Sequence, residues 1–388
     1  MIKAKRMDEL SPGVFNDMNE KKKRFEARGT KAINLSVGSP DLPPAPHIIK
    51  ALQKSAGNPL NYTYSLGGLP QLYAAVASWY KKRFNVDLNP ENEILALMGS
   101  QDGLAHLAMA YIDPGDVALV PDPGYPIYGF SILMAQGEVY PLPLLEENNF
   151  LPDLSKIPVH IAKKSKIIWL NYPNNPTAAV ADLNFFKQVV EFAHRYDILV
   201  CHDVAYAELA YDNFKPVSFL EVEGAKEVGV EFYSLSKTYN MAGCRLGFMV
   251  GNRHVVANLA LIKSNIDYGV FLAVQEAGIA ALTGPQDCVA NTARVYQRRR
   301  DVLVEGLAEI GWHIPKPSAS MFVWAPLPPG YTSSYNLVSD LLEKAGVVVV
   351  PGNAFGRQGE GYVRIALVRN EEALAEAVQR ISKNISFK

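Results

Sequence analysis

The stretch Ser234-Leu235-Ser236-Lys237-Thr238-Tyr239-Asn240-Met241-Ala242-Gly243-Cys244-Arg245-Leu246-Gly247 gathers residue types suited to covalent chemistry on an anionic ligand. It lies between two apolar runs, Val230 to Tyr233 and Phe248 to Val250, that read as strands. Serines flank the lysine, and glycines stand on either side of the arginine. An amine in that setting can form a Schiff base with the aldehyde of pyridoxal phosphate. The hydroxyls of Ser234 and Ser236, with Arg245, would hold the dianionic phosphate, because a guanidinium fork makes paired, charge-assisted hydrogen bonds to its oxygens. Taken alone, the stretch equally suits a solvated turn with an ordinary surface lysine.

Other stretches carry chemistry of the same kind. Gly99-Ser100-Gln101-Asp102 stands at a strand-to-helix junction, where free N–H groups and the positive dipole end can bind a phosphate. Ser100 can also simply cap the helix. Asp203 ends an apolar strand, Ile198 to Cys201 and on through His202, and the carboxyl ends of such strands are where open α/β sheets bind ligands. His202 points to the opposite face and reads as a core histidine. In Gly361-Tyr362-Val363-Arg364-Ile365-Ala366 a single cation stands among apolar residues. Burying it unpaired would be costly, so Arg364 requires an anion, from the protein or from a ligand. Gly38-Ser39-Pro40-Asp41 reads as a turn, and Asn171-Tyr172-Pro173-Asn174-Asn175-Pro176-Thr177 as a more distinctive loop after a strand.

Together, and in this order, these motifs resemble those of the fold-type I pyridoxal-phosphate enzymes, specifically the class I and II aminotransferases, over nearly the whole sequence. The resemblance implies that Lys237 bonds the cofactor and that Asp203 partners its pyridine nitrogen. Asn175 and Tyr206 would donate to its phenolic oxygen, and Tyr125 would stack on its ring. The phosphate would lie among Ser100, Gln101, Asp102, Ser234, Ser236 and Arg245. Arg364, Asn175 and the backbone N–H of Gly38 would receive the substrate, the glycine allowing close approach. A tyrosine from the neighbouring subunit of a homodimer would reach the phosphate. The usual spacing falls here on Thr63, between two tyrosines, and Tyr62 is favoured over Tyr64 on the assumption of one inserted residue. Relatives also carry glycine where this chain has Ala178, a departure that calls for an unstrained φ there.

The elements that must position these residues follow from periodicity. Segment 11–29 reads as a polar helix with Phe15, Met18 and Phe25 as its apolar positions, followed by a strand at 33–37 and a helix at 46–56. A long amphipathic helix runs through Phe84. From Glu93 the chain alternates strand and helix (94–98, 101–112, 117–120, 183–194, 198–201), which implies a mainly parallel sheet with right-handed crossovers. Residues 294–301 read as a charged, solvated helical face. A smaller αβ unit follows from Trp312. The resemblance implies a seven-stranded large domain, residues 45–285, and a small domain from both ends, 1–44 and 286–388.

With 388 residues, 48% hydrophobic and 20% charged, the chain can bury a sizeable core. A net charge of −1 leaves no footprint for nucleic acid or an anionic membrane, so small molecules are the expected partners. No apolar run reaches spanning length and the first residues lack an apolar signal core, which points to the cytoplasm. Cys201, Cys244 and Cys288 form neither a disulfide framework nor a metal site.

The expected activity is therefore transamination between an L-amino acid and a 2-oxo acid such as 2-oxoglutarate, ping-pong via pyridoxamine phosphate. Relatives specific for dicarboxylic donors often carry a second arginine some twenty-odd residues after the phosphate arginine. Residues 265–275 contain no cation and one acid, Asp267. The pocket is accordingly expected to prefer neutral donors such as methionine or aromatic amino acids. The alternative is LL-diaminopimelate, whose distal ammonium Asp267 would attract if it points inward. β-Elimination on the same fold is the nearest rival activity, and a cofactor-binding regulatory protein without turnover is the rival from another class.

Overall fold

The computed structural model describes residues 3–4, 6–9, 13–27 and 29–387. Ser11, the expected start of the first helix, and the side chain of Phe15 lie outside the described residues; the helix itself runs Gly13–Glu26. The strands in chain order are β1 (Ile33–Asn34), β2 (Ile94–Leu97), β3 (Val117–Asp122), β4 (Glu138–Pro143), β5 (Ser165–Asn171) and β6 (Leu199–Asp203). They continue as β7 (Gly229–Ser234), β8 (Gly247–Gly251), β9 (Phe322–Pro326), β10 (Val347–Val348), β11 (Val350–Pro351) and β12 (Tyr362–Ala366).

A seven-stranded sheet in the order β2-β8-β7-β6-β5-β3-β4 forms the centre. β8 runs antiparallel to both its neighbours, and the other pairings are parallel. Its central strands are apolar almost without alternation because helices cover both faces. Away from the strand ends the exceptions are Glu231 on β7 and His202 on β6, both fully buried. The Glu231 carboxylate accepts from Ser218 Oγ (2.6 Å) and the Phe219 N–H (2.7 Å) and pairs with His202 Nδ1 at 2.8 Å. His202 is thus a satisfied core histidine, as its strand parity implies.

Register brings the chemistry together. Asn171 at the end of β5 pairs with Asp203 at the end of β6, and Asp203 pairs with Phe232 on β7, two residues before Ser234. Adjacent parallel strands therefore deliver the asparagine loop, the carboxylate and the lysine stretch to one edge of the sheet. The helix expected over 101–112 is divided into Ser100–His106 and Ala108–Tyr111, with Leu107 between them still helical at φ −59°.

A second core joins the chain ends. Met18, Ile33 and Leu35 pack with Leu303, Leu337 and Ile381, and β1 pairs in parallel with β10. Here the solvated reading of 294–301 is corrected in part: Arg294 and Arg298 are exposed, but two of their neighbours are not. On the helix Asp287–Glu309, Arg299 and Arg300 are each only 2% exposed. Arg299 forks onto both oxygens of Asp41 at 2.7 Å, and Arg300 reaches Asp212 at 2.6 Å. Both sit on the helical face that carries Tyr296 and Leu303, so they are buried with it and take carboxylates as partners, distant ones in Asp41 and Asp212 and, for Arg300, the adjacent Asp301 as well.

Candidate active site

The ends of β5, β6 and β7 open into a cavity of about 380 Å³. Lys237 enters it from the short helix Leu235–Thr238, whose cap, Ser234, accepts the Ser236 N–H. Lys237 Nζ donates to the Gly38 carbonyl at 2.8 Å. Burial lowers its pKa to about 8, with the charges of Arg245 and Arg364 adding to the effect. The amine is thus far easier to deprotonate than a surface lysine.

Asp203 is buried beside it. Its Oδ2 accepts from the Tyr128 hydroxyl at 2.9 Å and its Oδ1 from the Ala205 N–H at 3.2 Å. Burial pushes the carboxyl up despite these donors, so a cation meeting it in the cavity would be strongly favoured. Tyr128 escaped sequence reasoning. It is held by stacking on Trp169, with centroids 5.4 Å apart, and its only signal was its place in the aromatic turn after β3.

Asn171 Nδ2 donates to the Asp203 carbonyl (2.7 Å), while its Oδ1 accepts the Asn175 N–H (2.7 Å). Asn175 Oδ1 in turn accepts from Arg364 Nη1 at 2.8 Å. The expected unstrained φ at Ala178 is corrected: the residue sits left-handed at +58°. Bonds from the Ala178 N–H to the Asn174 carbonyl (3.0 Å) and from the Asn174 N–H to the Ala179 carbonyl (2.9 Å) close the loop and impose that conformation.

Arg364 is 5% exposed, with its guanidinium between the rings of Phe322 (4.2 Å) and Phe355 (4.6 Å). Its hydrogen-bond acceptors are neutral, Asn175 Oδ1 and the Ser36 carbonyl (2.7 Å), and its Nε has none among the described residues. Burial lowers its pKa to about 10. No carboxylate among the described residues pairs with it, so the site suits an anion brought by a ligand. Gly38 lines the cavity, and the structure adds a second reason for its lacking a side chain: a Cβ there would lie 2.5 Å from the Phe322 ring.

Another wall is a cradle. Gly99, at φ +74°, turns the chain into the helix Ser100–His106 without any side-chain cap, so Ser100 is its first residue and not its cap. A Cβ on Gly99 would meet Arg245 Nη2 at 2.5 Å, and one on Gly247 would meet the Ser100 N–H nitrogen at 2.7 Å. Ser236 Oγ is buried without a partner among the described residues. Gln101 and Tyr125, joined by a 3.2 Å hydrogen bond, complete this side, and Tyr206 lies buried with its ring against Phe322. An orphan hydroxyl, a guanidinium and a glycine-lined helix start fit a phosphate.

One expected residue stands elsewhere. The Asp102 carboxylate turns away from the cavity, accepting the Met98 N–H (2.9 Å) and pairing with Lys263 and His106. Burial opposes its charge, but these partners outweigh it and hold the carboxyl below the usual range. Tyr62 and Tyr64, expected to serve the neighbouring subunit's site, are 67% and 85% exposed and line no wall of this chain's own cavity; the Tyr62 hydroxyl donates to the Ala56 carbonyl.

Residues 30–381 match the family described as aminotransferase class I and II. The chain belongs to that family. LL-diaminopimelate aminotransferase from Moorella thermoacetica is 51% identical over 384 residues, covering 99% of this chain and 98% of that one. Substrate-bound BacF from Bacillus subtilis superposes with a TM-score of 0.95 at 41% identity, covering 100% and 99%. A probable N-succinyldiaminopimelate aminotransferase from Thermus thermophilus gives a TM-score of 0.90 at 40% identity, covering 95% and 99%. The protein is thus a fold-type I, pyridoxal-phosphate-dependent aminotransferase. Its relatives do not support the expected preference for methionine or aromatic donors; the alternative, LL-diaminopimelate, is the substrate in the first relative's name. The residue offered for that alternative is engaged, however: both Asp267 oxygens bond Lys263, at 2.9 and 3.1 Å. Among the described residues no helix is long and apolar enough to cross a membrane.

Proposed function

We propose that this aminotransferase takes the amino group of LL-diaminopimelate and passes it to a 2-oxo acid such as 2-oxoglutarate. The observation that carries the reading is the 51% identity, over almost the full length of both chains, to an LL-diaminopimelate aminotransferase. The geometry supports a donor read first through its α-carboxylate. Arg364 exchanges the neutral oxygens of Asn175 and Ser36 for that anion, and the flanking rings exclude water from the pair.

Pyridoxal phosphate supplies the aldehyde that carries the amino group and the ring that draws electrons from the substrate Cα. The chain's own groups do the rest. Arg245, Ser234, Ser236 and the N–H groups of Ser100 and Gln101 hold the phosphate. Asp203, braced by Tyr128, holds a proton at the ring nitrogen, and Asn175 and Tyr206 donate to the phenolic oxygen. Tyr125 packs on the ring face. Lys237 Nζ would take the proton from the substrate Cα and return it two atoms away, to the carbon on the far side of the amino nitrogen, as base and then as acid. A second 2-oxo acid runs the same steps in reverse.

The active form is a homodimer, supported by the exposed aromatics Tyr62 and Tyr64 on a loop packed against Phe271 and Tyr268, and its compartment is the cytoplasm. The division into residues 45–285 and the two ends, 1–44 and 286–388, is supported by a second core drawn mostly from the two ends, joined from the large domain by Ala205, Tyr206, Leu209 and Tyr211. The test is kcat/KM for LL-diaminopimelate, methionine, phenylalanine and aspartate with one fixed acceptor. LL-diaminopimelate should lead by at least about tenfold. Methionine or phenylalanine in the lead would restore the neutral-donor reading, and aspartate in the lead would exclude both.

A further inference from the structure

Lys263 is 2% exposed, on the helix Arg253–Ile266, and the mechanism does not use it. It bonds Asp102 Oδ2 and both oxygens of Asp267, and so lies between two carboxylates. With His106, whose Nδ1 is 2.9 Å from Asp102 Oδ1, those acids place their ligand atoms within 4.8 Å of one another. The ammonium of Lys263 is the cation of this cluster.

Asp102 has a structural task. By accepting the Met98 N–H at 2.9 Å it ties residues 98–102 into the turn that presents Ser100 and Gln101 to the cavity. An anion in the first turn of a helix is itself stabilised there, and it competes with a second anion for the same positive end. A phosphate dianion beside Ser100 and Gln101 would be that second anion.

We propose that Lys263 is a positioning residue for the cofactor phosphate: it neutralises Asp102, so that the turn keeps its carboxylate brace without repelling the ligand the turn presents. This rests on the reading that the phosphate lies among Ser100, Gln101 and Arg245.

The experiment strips the cofactor and titrates the apoenzyme, by absorbance, with pyridoxal phosphate and with pyridoxal, which carries no phosphate. Lys263→Met should raise the Kd for pyridoxal phosphate by at least about tenfold and leave that for pyridoxal within about twofold. Asp102→Asn retains an oxygen for the Met98 N–H but loses the charge, so it should bind pyridoxal phosphate as tightly as the parent or more tightly. The double variant Asp102→Asn/Lys263→Met should recover most of the loss. Equal weakening toward both ligands in Lys263→Met, or no weakening, overturns the proposal. Should that variant fail to fold, a tenfold loss of pyridoxal phosphate affinity in Asp102→Asn overturns it as well. Arg245→Gln separates the two levels: if it leaves pyridoxal phosphate affinity unchanged, the phosphate site itself is misplaced. If it weakens that affinity while Lys263→Met does not, only the role of Lys263 fails.

Discussion

Arg364 and Arg245 bring the same guanidinium to different walls of one cavity, and the protein holds them in opposite ways. Arg364 is buried between two phenylalanine rings, bonded to Asn175 and the Ser36 carbonyl, with its pKa lowered to about 10 by burial. Arg245 is exposed, on a left-handed residue at φ +52°, with one 3.2 Å bond to the Ala242 carbonyl. The first is prebuilt and desolvated, and its present acceptors are neutral oxygens that an anion would outcompete. The second is only one donor among several, because the N–H groups of Ser100 and Gln101 and the Ser236 hydroxyl share its wall. A rigid, water-free cation suits a substrate group that arrives and leaves in every turnover. An open cradle of many donors suits a cofactor that stays.

The largest expected effect falls between the two walls. Lys237→Ala should lower kcat by about 10⁴-fold while leaving phosphate and carboxylate binding in place, so the two arginines would still be occupied. Borohydride labelling and peptide mapping check the assignment, and label on another lysine contradicts it. Next is Asp203→Ala, which keeps both arginines but removes the partner of the ring nitrogen. Cofactor should remain detectable and proton abstraction should slow by about 100-fold or more. Near-normal turnover would take Asp203 out of the site.

A smaller effect reads both arginines at once through Lys237. Because its pKa is lowered to about 8, by burial first and then by Arg245 and Arg364, the neutral amine predominates only above that pH. Capture of pyridoxal phosphate by apoenzyme should therefore quicken by about tenfold per pH unit below 8 and level off above it. Removing the Arg245 charge should move the plateau to higher pH. The smallest effect concerns the loop behind Arg364. Ala178→Gly relieves a left-handed alanine but loosens the unfolded chain, so the net gain should be roughly 0.5 kcal/mol in denaturant unfolding.

Most of the chemistry was legible because parallel strands deliver their C-terminal ends to one edge. Asp203 could be placed there from its strand end, and the asparagine loop and the lysine stretch from their motifs and the family resemblance. Arg364 could be singled out as a lone cation in an apolar strand. What stayed illegible depended on partners distant in sequence. Arg299 and Arg300 look solvated until Asp41 and Asp212 are brought to them. Asp102 looks like part of the phosphate turn until Lys263 claims its carboxylate. Gly38 gives no sign in sequence that Phe322 packs where its Cβ would stand. Ala178 gave no local sign that the hydrogen bonds of its loop would force φ positive.

The division of labour between the two arginines is tested most directly by one paired measurement: the Kd for pyridoxal phosphate and the KM for the amino-acid donor, both in Arg364→Gln and in Arg245→Gln. Arg364→Gln should raise donor KM by about 100-fold, the loss of two charge-assisted hydrogen bonds, and leave cofactor Kd nearly unchanged. Arg245→Gln should do the reverse, raising cofactor Kd with little change in donor KM once cofactor is saturating. Two variants that move both constants alike would contradict the assignment of one wall to the substrate and the other to the cofactor.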